Sequence, residues 1–168
     1  MLKPIGQNAF VVRDLDEGIA QWVNTMKVGP FGKFTAIQFQ SSECHGKPAE
    51  LRFDAAIAYV GDFQIELICP RGPSPFQEWL DAGNSGLHHV SHIVDDMAAA
   101  EAELVARGAT LLMGGTLIDG SEIGYYAIPG APVPVVELAR LNPPFFAVFD
   151  ALRQAAADWD GVTHTLEF

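Results

Sequence analysis

The sequence predicts an α+β protein built from two βαβββ modules with a C-terminal helical extension, and three observations carry the prediction. First, Gln7-Asn8-Ala9-Phe10-Val11-Val12-Arg13-Asp14-Leu15 aligns without a gap on His89-Val90-Ser91-His92-Ile93-Val94-Asp95-Asp96-Met97. Each is an apolar, β-branched run of strand length ended by an acidic turn. Second, each run is followed by a helical apolar stripe and then by three more strand-like runs. Third, 168 residues that are 49% hydrophobic and 18% charged can bury a core without staples.

In chain order, the first strand runs from Gln7 and ends at Asp14, placed to cap a helix over 17–26 with Ile19, Trp22, Val23 and Met26 on one face. A glycine signal, "KVGPFG", should close that helix. Strands are expected over 34–39, 51–59 and 63–69, the last two joined by a Gly61-Asp62 turn. The joint "CPRGPSPFQEWLDAGNSG" is rich in turn formers, with room for a short helix at 75–81. The second half repeats the order: strand from His89, cap at Asp96, helix 97–107 with Met97, Ala100, Leu104 and Val105 inward, then strands over 110–117, 124–128 and 133–139. A Pro129-Gly130 turn joins the last pair. This divides the chain into a first module at 1–70, a linker at 71–85, a second module at 86–142 and an extension at 143–168. The extension carries a helix at 145–157 and reads as an appendage.

Ten Lys and Arg against 21 Asp and Glu give a formal charge of −11, a field that repels phosphate backbones and anionic lipid. Nucleic acid and membrane partners are therefore not expected; a small-molecule substrate is. No apolar run approaches the ~20 residues that span a bilayer, and the N-terminus has no signal-peptide pattern, so a cytoplasmic location is expected. The two cysteines, Cys44 and Cys69, form no C-x-x-C pair and are expected as reduced thiols.

The repeat also selects candidate functional residues. The two first strands begin with Gln7 and His89, and the last strand of each module carries an acid inside an apolar run: Glu66 in "FQIELI" and Glu137 in "VVELA". A solvent-facing edge acid would explain either one alone. Two in repeat-equivalent places are costly to bury unless a cation compensates them. Gln7, Glu66, His89 and Glu137 form an oxygen and nitrogen set without thiolate, suited to one divalent metal ion, with Zn, Ni, Co, Mn, Mg and Fe all compatible. The stretch "GLHHVSHIVDD" holds three of the chain's five histidines, and that strand alone does not choose among His88, His89 and His92.

These features resemble the vicinal-oxygen-chelate superfamily of glyoxalase I, methylmalonyl-CoA epimerase, extradiol dioxygenases and bleomycin-resistance proteins. The segments that carry the resemblance are "QNAFVVRDLD", "QIELICP", "LHHVSHIVDD" and "VVELAR", spanning about residues 5–140. The resemblance implies a glyoxalase-like open barrel, a homodimer, and metal ligands at Gln7, Glu66, His89 and Glu137. It selects His89, whereas period two places His88 and His92 on the opposite strand face. The ligand pattern is that of glyoxalase I and is close to that of the epimerase; a dioxygenase would need two histidines and one carboxylate. "WVNTMKVGPFGKF" and the tail's "WDG" are similar to an epimerase-like branch.

The implied activity is that of a metal-dependent isomerase, epimerase or lyase. It would abstract a proton next to a carbonyl of a small acyl-thioester, hemithioacetal or 2-oxo substrate through a metal-stabilised enediolate, with Glu66 and Glu137 as catalytic bases. The alternative is a binding or sequestering protein without turnover. Few cations, Lys33, Arg52, Arg71 and Arg140, stand near cleft loops to hold an anionic carrier. The aromatics Phe31, Phe34, Phe76, Tyr125, Tyr126, Phe145 and Phe146 suit an apolar pocket.

Overall fold

The computed structural model describes residues 2–166. Its elements follow the predicted order: β1 (Gln7–Val11), α1 (Leu15–Gln21), β2 (Phe31–Ile37), β3 (Phe39–Cys44), β4 (Lys47–Pro48), β5 (Phe53–Val60) and β6 (Phe63–Pro70). After α2 (Pro75–Asp81) come β7 (Leu87–Ile93), α3 (Met97–Val105), β8 (Thr110–Leu117), β9 (Glu122–Ala127), β10 (Val135–Arg140), α4 (Pro143–Ala157) and β11 (Thr165–Leu166). The strands form one open sheet in the order β11-β2-β5-β6-β1-β7-β10-β9-β8-β3-β4.

Both acid caps form. Asp14 accepts from the Glu17 amide at 2.9 Å and Asp96 from the Ala99 amide at 3.0 Å. The expected faces of the two helices hold in part. Ile19 and Val23 are buried, but residues 22–26 wind as a π-helical turn, which adds a residue per turn and rotates Met26 to 58% exposure. Lys27, not a glycine, takes the left-handed conformation that ends this helix, whereas Gly108 does so after α3. In α3, Ala100 and Leu104 are buried while Val105 is 53% exposed, because a position one residue on from Leu104 turns ~100° off the inward stripe.

The registers around the centre of the sheet are equivalent. Gln7 pairs with Gln64 and Ala9 with Glu66 between β1 and β6, as His89 pairs with Val135 and Ser91 with Glu137 between β7 and β10. Between them β1 and β7 run antiparallel, with Gln7 opposite Ser91 and Ala9 opposite His89, a self-complementary pairing about a local twofold axis. The curved sheet therefore presents corresponding positions of the two halves to one concave face.

A single strand was expected at 34–39. The chain instead forms β2 on β5 and, after only Gln38, β3 on β8 at the far side of the sheet. Glycine makes this possible. A Cβ at Gly115 would lie 2.2 Å from the Ser41 carbonyl oxygen, so this glycine lets β3 lie close on β8, while one at Gly114 would lie 2.7 Å from the Ile123 carbonyl oxygen of β9 on the other side. The residues after 142 are no appendage. Phe149 and Leu152 of α4 are buried against Ile57 and Tyr59, and β11 adds to β2 in parallel. Cys44 and Cys69 are free thiols.

Candidate metal centre

β6 and β10 flank the central pair β1 and β7, so an acid on the concave face of either strand looks toward the local twofold axis. Glu66, His89 and Glu137 meet there. One ligand atom from each lies within 4.8 Å of the other two, and all three residues are buried. His89 Nε2 is 3.6 Å from Glu66 Oε2 and 3.7 Å from Glu137 Oε2. Gln7 lines the same cavity, but its amide nitrogen donates to Gln64 Oε1 at 3.1 Å, and Gln64 in turn donates to the Tyr59 hydroxyl at 2.5 Å. Three of the four expected residues therefore converge, and the fourth stands on the adjoining wall, held by a neighbour.

Burial dominates the electrostatics. With no cation beside it, the Glu66 carboxyl is pushed up to about 8. Burial also raises Glu137; nearby His89 and hydrogen bonds from Ser91 and Tyr125 pull it back down, while the charge of Glu66 adds to the rise. Burial lowers His89 to about 4, Glu137 offsetting only part, so the ring is neutral at pH 7 and its contacts to the two acids are not ion pairs. The two carboxylates thus differ: Glu137 is held by two donors, whereas Glu66 Oε2 and His89 Nε2 have no hydrogen-bond partner among the described residues. Buried polar atoms are nearly always satisfied, so this pair of orphans facing each other is an observation that asks for a missing third party. Two carboxylates and an imidazole in a dry setting fit a divalent cation that accepts oxygen and nitrogen donors.

His88 departs from the alternation expected of its strand. The pairing of β7 with β1 steps from Ala9–His89 to Phe10–Leu87, so His88 is the extra residue of a β-bulge. The bulge turns it off the opposite face that period two gives it and brings its Nδ1 to 3.0 Å from Nδ1 of His89, under the rings of Phe76 and Trp79. Burial and the neighbouring His89 lower His88 to about 3. When His89 Nδ1–H donates to His88, the Nε2 lone pair of His89 faces the carboxylates, the tautomer a metal ligand requires. His92, half-buried, bonds the Lys3 carbonyl at 2.6 Å, away from the cluster. Asp95 pairs with Lys3.

Beside the cluster lies a cavity of about 140 Å³, whose polar lining is Gln7, Gln64, Glu66, Ser91, Tyr125 and Glu137. Phe34, Tyr125 and Phe145 line it as expected of pocket aromatics. Phe31 and Tyr126 are packed elsewhere in the core, Phe76 is buried behind the cluster against His88, His89 and Tyr125, and Phe146 is exposed. Sequence reasoning missed His88, Ser91 and Tyr125 as partners of the cluster, and Phe149 as a wall of the cavity. The tandem histidine was the available signal for the first.

A family model described as the Glyoxalase/Bleomycin resistance protein/Dioxygenase superfamily matches residues 6–125. No curated protein matches significantly. Solved structures of similar fold include a hypothetical protein from Bacillus halodurans, 14% identical, covering 83% of this chain and 94% of its own with a TM-score of 0.60. Methylmalonyl-CoA epimerase from Mycobacterium tuberculosis is 19% identical, over 87% of this chain and 93% of its own, with a TM-score of 0.58. A variant of methylmalonyl-CoA epimerase from Streptomyces coelicolor, in complex with 2-nitronate-propionyl-CoA, is 18% identical, over 85% and 97%, with a TM-score of 0.56. At such identities the likeness is one of fold.

Proposed function

Because the chain belongs to the glyoxalase/bleomycin resistance protein/dioxygenase superfamily, we propose that it is a metal-dependent isomerase, epimerase or lyase that removes a proton next to a carbonyl of a small acyl-thioester, hemithioacetal or 2-oxo substrate. The observation that carries this reading is the convergence of Glu66, His89 and Glu137, with Glu66 Oε2 and His89 Nε2 unsatisfied. Those three residues would hold one divalent ion, and Gln7, its amide nitrogen engaged, would add its carbonyl oxygen. Such an ion supplies Lewis acidity that makes a neighbouring carbon acid easier to deprotonate.

The chain's own groups divide the remaining work. Glu66, whose Oε2 no hydrogen bond among the described residues restrains, accepts the proton. Glu137, fixed by Ser91 and Tyr125 on the other side of His89, carries the proton that is returned to the opposite face and so acts as the acid while Glu66 acts as the base, the two exchanging roles in the reverse direction. Phe34, Ile57, Phe145 and Phe149 give the cavity beside these groups an apolar lining. We read residues 1–70 and 86–142 as the two modules, joined by 71–85 and followed by 143–168; the equivalent registers support this. We further read the protein as a cytoplasmic homodimer, as members of the family commonly dimerise; no helix among the described residues is long and apolar enough to cross a membrane.

A binding protein without turnover is the second reading, favoured by one observation: Glu137 is satisfied by Ser91 and Tyr125 with no ion required. Metal analysis followed by solvent deuterium exchange separates the two. About one divalent ion per chain, and exchange at a thioester, hemithioacetal or 2-oxo compound that Glu66→Gln abolishes, supports the enzyme. Ligand binding with neither metal nor exchange supports sequestration.

A further inference from the structure

We propose that this site is built for a small 2-oxo compound with an uncharged apolar chain of limited length, the limit being set by α4, and not for a nucleotide-borne thioester. The inference rests on the functional reading above and narrows its substrate class. The polar groups of the cavity gather around Glu66 and Glu137. Ile57 of β5, the cross-strand neighbour of Glu66, carries the apolar lining on to Phe34 of β2 and to Phe145 and Phe149 of α4, which close over it. Residues 145, 149 and 152 recur at helical spacing, so α4 turns one apolar stripe inward: Phe149 is 6% exposed and Leu152 fully buried. The helix is anchored with Arg153 stacked 4.8 Å over the Tyr59 ring.

Size and charge then define the occupant. The cavity of about 140 Å³ is close to the ~150 Å³ that accommodates one benzene ring, and well below the ~300 Å³ at which sites for larger ligands begin. No lysine or arginine among the described residues lines it. The cations that flank its strands are committed to carboxylates: Lys33 to Asp16, Arg71 to Asp54, Arg140 to Glu122 and Arg153 to Asp150. A substrate with a second charged group would find no partner inside, and the phosphates of a nucleotide carrier would meet an acidic surface of paired cations. A carbonyl head beside Glu66 and Glu137 with a short aliphatic chain against Phe149 satisfies both constraints.

The test is isothermal titration of the protein as purified with straight-chain 2-oxo acids of four to ten carbons, and with propionyl-CoA. Affinity is expected to rise by about fourfold per added methylene while the chain runs along the apolar lining, then to fall at least tenfold once it meets α4. Phe149→Ala should move the maximum to longer chains, with Phe145→Ala as the substitute if the first variant fails a thermal melt. Propionyl-CoA should bind at least tenfold more weakly than the best 2-oxo acid. No binding by any 2-oxo acid, a maximum unmoved in the folded variants, or preferred binding of propionyl-CoA would overturn the inference. Absence of solvent exchange with the chain-length profile intact would remove the catalytic reading and leave this one standing.

Discussion

Glu66 Oε2 and His89 Nε2 face each other across 3.6 Å of buried space, and neither has a hydrogen-bond partner among the described residues. A carboxyl in that position destabilises the metal-free fold and binds the metal-loaded one, so a single substitution should move the two properties in opposite directions. Glu66→Gln is expected to raise the stability of the chelated protein by about 1–3 kcal/mol, the cost of one unsatisfied buried group. The same change should cut bound metal at least tenfold. Thermal melts with and without chelator, and metal content by mass spectrometry, read both; a variant that is less stable and still fully loaded would contradict the assignment.

The pH dependence of the chelated protein follows from the same burial. Glu66 holds its proton up to about pH 8 in the fold but releases it near 4.5 when unfolded, so the fold binds more protons over that interval and loses stability as pH rises through it. His88 and His89 act in the other direction, remaining neutral down to about 3 and 4 and losing stability only as pH falls below 6.5. Above pH 6.5 the carboxyls act alone. Stability should therefore fall between pH 6.5 and 8, by at most about 1.4 kcal/mol per pH unit for Glu66, read as a falling melting temperature, and Glu66→Gln should flatten the slope.

His88→Phe keeps a ring under Trp79 but removes the Nδ1 that lies 3.0 Å from His89. Metal affinity is expected to drop about 10–100-fold, the usual effect of losing the outer partner of a metal-bound imidazole. Nitrogen chemical shifts of His89 should show a changed tautomer in the metal-free variant. Unchanged affinity together with an unchanged tautomer would mean that His88 only fills space.

Gly115→Ala places a methyl 2.2 Å from the Ser41 carbonyl oxygen, with backbone on both sides of the clash. β3 must then lift off β8, and the fold should lose about 1–3 kcal/mol. Hydrogen exchange would show it as lost protection confined to β3 and β8; an unperturbed ladder would refute the packing argument.

Much of this architecture is written locally. The acid caps at Asp14 and Asp96 and the gap-free match of Gln7–Leu15 with His89–Met97 are short-range signals, and they were enough to place both halves in order. Glu66 and Glu137 stood out because an acid inside an apolar strand is costly without a partner. What escaped depends on partners distant in sequence. The spacing of Phe145, Phe149 and Leu152 announces a helix but not the cavity it covers. The pairing of β3 with β8 depends on Gly115, far down the chain. The bulge at His88 breaks the very alternation that sequence reading relies on.

The one-residue step at Gln38 joins strands that end up on opposite flanks of the sheet, and it ties the fate of the two halves together. The N-terminal half lends a strand to the C-terminal half, and α4 and β11 return the loan by packing on β5 and β2. Cutting the chain in the 71–85 joint would therefore leave two fragments with exposed edges, soluble only when mixed. Such contacts must wait for late-synthesised residues, so folding of the nascent chain should complete only after residues beyond 140 have emerged.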